Sequence, residues 1–162
     1  MSFETELNQI YQKIAQKIND MIPVEWKEFH FHAEIQDGDG GVYFFFQPSN
    51  KQEYVYSYFI PEVYGVEKSS FDNSEDELFD LAIDLQSEFI ENEMEPWFSV
   101  TLSVDENRKI KIHFDYLDWN KSNFGPSDRM KYFQFKQLNA LDLNENNKKL
   151  VDAMSEYEKI NA

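Results

Sequence analysis

At 162 residues, 41% of them hydrophobic and 17% aromatic, the chain can bury the core of one ordinary domain and is too aromatic to be disordered. Its formal net charge of −16, from 31 Asp and Glu against 15 Lys and Arg, argues against direct contact with nucleic acid or an anionic membrane, which need a basic surface. Cysteine is absent, which removes disulfides, thiolate metal sites and a thiol nucleophile and fits a reducing compartment.

Phe3, Leu7, Ile10, Tyr11, Ile14, Ile18, Met21 and Ile22 recur at steps of three and four, predicting an amphipathic helix that Pro23 ends. Strand alternation follows, with Phe29, Phe31, Ala33 and Ile35 on one face and His30, His32 and Glu34 on the other. Asp37-Gly38-Asp39-Gly40-Gly41 reads as a tight hairpin turn, because glycine supplies the positive φ such turns require. Aromatic-rich strands are predicted over 42–46 and 54–60, joined by Pro48-Ser49-Asn50-Lys51, and complete an antiparallel meander.

A connection over 61–70 leads to Ser74 and Glu77, spaced as a capping box, and to a second helix running to about Met94. Its apolar stripe is Leu78, Leu81, Ala82, Leu85 and Phe89, widened by Phe79 and Ile90, and Glu95-Pro96 stops it. Phe98, Val100, Leu102 and Val104 then alternate with small polar residues. After a turn at 105–108, Ile110, Ile112, Phe114 and Tyr116 alternate with Lys111, His113 and Asp115, a second hairpin continuing the same sheet. Two helices, around 127–136 and 144–159, close the chain. The order α-βββ-α-ββ-αα predicts an α+β fold, an antiparallel sheet of about five strands with helices packed on it. With no linker, repeat or low-complexity stretch, residues 1–162 are expected to form one domain.

Three constellations invite chemistry. Asp37-x-Asp39 begins like a calcium loop, but Gly41, Val42 and Pro48 stand where an EF-hand needs an oxygen ligand, glycine and glutamate. His30 and His32 point to one side of a strand and His113 outward from another, yet there is no H-E-x-x-H, so no metal and no cofactor is expected. Asp115 and Asp118, beside Tyr116 and Trp119, are the best candidate acid–base pair. Fingerprints for a nucleophile elbow, a phosphate loop or a dinucleotide site are missing, so no enzyme is expected.

The second helix is more telling. Glu77, Asp80, Asp84, Glu88 and Glu91 fall at three-and-four spacing away from the apolar stripe, and from Ser69 to Asn107 there are twelve acids and no Lys or Arg. A solvated helix face ordinarily mixes signs, because i,i+4 pairs stabilise it and like charges repel by a few tenths of a kcal/mol. A stripe of one sign gives up that stabilisation and points to a docking surface for something basic, of which a nuclease domain is the natural example. Exposed aromatics would carry the contact energy, with Tyr116 and Trp119 as candidates. The alternatives are solubility alone, a ligand-binding or hydrolytic cleft around Asp115 and Asp118, and an acidic mimic of DNA.

Several local patterns occur together in one order: Met21-Ile22-Pro23-x-Glu25-Trp26, Asp37-Gly38-x-Gly40, Glu95-Pro96-Trp97, and Phe114-Asp115-Tyr116-x-Asp118-Trp119 with Phe124-Gly125 and Arg129 behind it. Over residues 3 to 136 this resembles the YezG/EsaG-type immunity proteins of Gram-positive bacteria. The resemblance implies a cytoplasmic, non-catalytic antitoxin that binds a toxin exported by the type VII secretion system, several such toxins being nucleases. No apolar run approaches the roughly 20 residues that span a bilayer, and the acidic amino terminus is unlike a signal peptide, so the expected location is the cytoplasm. Phe114 and Tyr116 are expected to face the core, and Asp118 to cap a turn with Arg129 in reach of either acid. That makes the stretch a structural clamp, together with Trp26, Asp37, Gly38, Pro96, Trp97 and Gly125.

Overall fold

A computed structural model describes residues 2–162. They gather into two compact units, one ending at Asp115 and the other Tyr116–Ala162. The larger contains α1 (Phe3–Met21), β1 (Trp26–Gln36), β2 (Asp39–Pro48), β3 (Val55–Tyr56), a 3-10 turn at Ser57–Phe59, α2 (Ile60–Tyr64), α3 (Lys68–Glu91), β4 (Ser99–Val104) and β5 (Ile110–Asp115). The sheet is antiparallel in the order β3-β2-β1-β4-β5, so the second hairpin adds to the first through β4 on β1 and leaves β1 central.

Alternation decides what is buried. Phe29, Phe31, Ala33 and Ile35 of β1, Phe44 and Phe46 of β2, and Val100, Leu102 and Val104 of β4 share one face and are buried. Against that face lie Ile14, Ile18 and Met21 of α1 and Phe71, Leu78, Ala82, Leu85 and Phe89 of α3. The β1–β2 turn is tighter than the glycine-rich run suggested, with only Asp37 (φ 54°) and Gly38 (φ 78°) at its centre and Gln36 paired with Asp39. Both central residues at positive φ match the strand twist. Gly40 has a separate role, since a Cβ there would meet the Glu34 carbonyl at 1.8 Å.

The second helix differs from expectation at both ends. It starts at Lys68 with Glu67 at the N-cap, and Ser74 lies inside it. Phe71 explains the difference: it continues the stripe of Leu78 and Leu85 one repeat earlier and is buried, which outweighs a cap at Ser74 worth about 1 kcal/mol. At the other end Ile90 does not widen the stripe and is 54% exposed. The third strand also shrinks to two residues, because the Ser57 hydroxyl accepts from the Phe44 N–H at 3.1 Å and the chain turns into the 3-10 segment.

The smaller unit has a 3-10 turn at Trp119–Lys121, α4 (Pro126–Lys136) and α5 (Glu145–Asn161). Pro126 opens α4 in its first turn, and the Asp128 carboxylate accepts from the Gly125 N–H at 3.3 Å. Asn144 caps α5, its side chain accepting from the Asn147 N–H at 2.9 Å. Glu158 of α5 joins the two helices, accepting from the Tyr132 hydroxyl and from the Lys136 ammonium, each at 2.8 Å.

Candidate functional site

The acidic face of α3 is built by elimination. Leu78, Ala82, Leu85 and Phe89 point into the core, so the three-and-four spacing leaves Glu77, Asp80, Asp84 and Glu91 exposed and Glu88 half-buried. The α1 helix beside it changes the charge pattern that α3 alone suggests. Lys17 of α1 forms an ion pair with Glu77, and a groove of about 420 Å³ between the two helices is lined by Lys13, Lys17, Asp20, Glu77 and Asp80. No ion pair among the described residues involves Asp80, Asp84, Glu88 or Glu91. Negative charge is therefore concentrated toward the carboxyl end of α3. There Glu6 of α1 adds to it, hydrogen-bonding Glu88. That shared bond first, then partial desolvation and the charges of Glu6, Glu91 and Asp84, raise the Glu88 carboxyl above its ordinary value.

The stretch after β5 divides its residues. Phe114 lies on the core side of the sheet, its ring 4.9 Å from Phe89 and 5.8 Å from Trp97. The strand ends at Asp115, whose carbonyl accepts from the Phe98 N–H at 2.8 Å. The alternation that would turn Tyr116 inward ends with it, and Tyr116 is 45% exposed. Asp118 caps the following turn, Oδ1 accepting from the Asn120 N–H at 3.0 Å, and Arg129 donates to the Phe124 carbonyl at 2.8 Å. Trp119 is not an exposed aromatic. It is 5% exposed, with its ring 5.3 Å from Tyr157, 5.8 Å from Tyr132 and 6.1 Å from Phe124.

The other patterned residues lie at the entries to β1 and β4 and along β1. Trp26 is buried at the start of β1, donates its indole N–H to Asn19 Oδ1 at 3.0 Å, and carries the Arg108 guanidinium 3.7 Å above its ring. Pro96 and Trp97 lead into β4, with Trp97 buried. The histidines of β1 each bridge a carboxylate and a hydroxyl. His30 sits between Glu28 (3.0 Å) and Ser103 (2.8 Å), and His32 between Glu34 (3.4 Å) and Thr101 (3.2 Å). Burial pushes Glu28 up, but hydrogen bonds from Tyr54 and His30 outweigh it and hold the carboxyl below its ordinary value. No group of three or more His, Asp or Glu among the described residues is placed to hold a metal ion.

Two features escaped the sequence reading. Gln86 sits on the buried side of α3, where a polar residue breaks the stripe. Tyr58, Phe59 and Val63 are 61%, 46% and 53% exposed, because the predicted strand over 54–60 stops early and throws its rings outward. Pro61 and the Tyr64-Gly65 pair were the available signals, since Pro at a helix start and Gly after its end bound a short helix.

A family model for YezG-like immunity proteins matches residues 7–152. The chain is 36% identical over 141 residues to the type VII secretion system protein EsaG of Staphylococcus aureus (strain NCTC 8325 / PS 47), covering 87% of this chain and 86% of that protein. It is 33% identical over 156 residues to the immunity protein YezG of Bacillus spizizenii, covering 96% and 95% of the two chains. Against the immunity protein YezG of Bacillus subtilis (strain 168) it is 30% identical over 145 residues, covering 90% and 96%.

Proposed function

Because the chain belongs to the YezG-like immunity protein family, we propose that it is a non-catalytic antitoxin that binds a cognate toxin domain in the cytoplasm. The toxin is a nuclease delivered by a type VII secretion system. One observation carries the nuclease reading: among the described residues Asp80, Asp84, Glu88 and Glu91 run along α3 without an ion-pair partner, on a chain of net charge −16. A nuclease grips phosphates with a basic surface, and an acidic helix face complements it, steering encounter and excluding the nucleic acid. Glu77 belongs to the same face but is partly neutralised by Lys17, so its share of the steering is smaller. In the smaller unit Tyr116 is exposed, whereas Trp119 is buried and offers no contact surface. No helix among the described residues is long and apolar enough to cross a membrane.

The test is co-expression with the toxin domain encoded beside this chain. Growth should be restored and the two should co-purify. A toxin that kills cells regardless, with no complex recovered, would remove the reading.

A further inference from the structure

Aromatic rings leave the sheet at its β3 edge as a stacked column. Phe45 on β2 is buried, and Tyr56, its cross-strand partner on β3, stacks on it with centroids 5.2 Å apart and planes at 23°. Tyr58 stacks on Tyr56 in turn, at 5.9 Å and 22°. Phe59 sets its ring against both, 5.6 Å from Tyr56 and 5.8 Å from Tyr58. Val63, one helical turn beyond Phe59, extends the outer end of this column as an exposed apolar patch. Behind it, Ser57 and Ile60 are almost completely buried and anchor the segment. Rings held this way lose little freedom when a partner covers them, which favours them as binding anchors.

Carboxylates rim the patch. Burial first, then the charge of Glu75, raise the Tyr56 hydroxyl, so that carboxylate acts on the column. Burial and the neighbouring Asp72 and Asp76 raise Glu75 itself. Exposed Glu62 and Glu67 lie along the same segment. Lys68 already places an ammonium in this rim, 3.0 Å from Asp72 Oδ2 and within the electrostatic reach of Tyr58 and Glu75. The pair is an exposed i,i+4 contact, so Lys68 offsets part of the Asp72 charge and leaves Glu62, Glu67 and Glu75 to the rim.

We propose that Tyr58, Phe59 and Val63 form the energetic anchor of the toxin interface and take a basic segment of the toxin domain. An arginine or lysine of that segment lies over the Tyr58 ring with its charge toward Asp72 and Glu75, and an apolar neighbour seats on Phe59 and Val63. Charge selects this occupant over a second copy of the chain, because a symmetric pairing would set the same acids against each other. The inference rests on the antitoxin reading and adds where the binding energy sits.

Binding kinetics of the full chain on the purified toxin domain test it. The Y58A/F59A variant should dissociate about 30-fold faster or more, Y58F should stay close to the parent, and D72N/E75Q should mainly slow association. Melting temperatures are compared alongside, and V63S, at an exposed helical position, repeats the measurement if F59A disturbs folding. Parent-like dissociation of Y58A/F59A, or of V63S in its place, overturns the anchor while leaving the antitoxin reading intact. A parent chain that fails to bind the toxin domain overturns both. A free chain that sediments as a dimer broken by Y58A/F59A overturns the proposal in favour of self-association.

Discussion

The Gln86 side-chain amide donates to the Trp97 carbonyl at 2.7 Å and, with its other hydrogen, to the Ile35 carbonyl at 3.1 Å. One buried side chain on α3 thereby ties the end of β1 to the segment entering β4. Gln86→Leu keeps the volume and leaves two buried acceptors without this donor, which costs about 1–3 kcal/mol each at most. Urea unfolding should show a lower midpoint with an unchanged slope. Gln86→Glu should be worse, since a carboxylate would face two carbonyls with no proton to donate at neutral pH.

Glu6 and Glu88 bring two carboxyls together across α1 and α3. The folded-state pKa of Glu88 is raised, so the folded protein holds this proton more tightly than the unfolded chain does. The resulting contribution is fully present below the unfolded value and disappears as pH rises through the raised value. Near neutral pH the pair is mutually repulsive. Glu88→Gln should therefore raise the melting temperature at pH 7, and the gain should shrink toward pH 4. An equal gain at both pH values would show that charge repulsion is not its source.

Reversing charge on α3 tests steering separately from contact. Asp84→Lys with Glu91→Lys should slow association with the toxin domain by tenfold or more at low salt and flatten its dependence on ionic strength. Dissociation should change much less. Both side chains are exposed and outside the ion pairs of α3, so the melting temperature should hold or rise.

Substitutions in the stretch after β5 should act on stability first. Trp119→Ala removes a buried ring from among Phe124, Tyr132 and Tyr157 and should cost about 3–5 kcal/mol. Asp118→Ala removes a cap and should cost about 0.5–2 kcal/mol. Arg129→Ala removes the shorter of two donors to the Phe124 carbonyl and belongs with them. For variants that remain folded, affinity for the toxin domain should stay close to the parent value. A large loss of affinity at unchanged stability would restore the stretch as a working surface.

Much of the architecture was legible because local periodicity carries it. The alternation of Phe29, Phe31, Ala33 and Ile35 and the spacing of Leu78, Ala82, Leu85 and Phe89 identify the buried faces without any knowledge of partners. Asp37-Gly38 marks its turn through backbone conformation alone. The stretch after β5 was only partly legible. Phe114 followed from alternation, whereas Tyr116 did not, because a strand end depends on which backbone groups find partners.

By itself the sequence determined the α+β order, the buried faces, the acidity of α3 and the family resemblance, all properties of local pattern. Only the tertiary structure decided which acids are paired, because Lys17, distant in sequence, lies beside Glu77 and offsets one end of the stripe. The same holds for Trp119, buried among rings from α4 and α5, and for Tyr58 and Phe59, turned outward where Ser57 captures the Phe44 N–H. Exposure and pairing are properties of neighbours, and neighbours from distant positions exist only once the chain has folded.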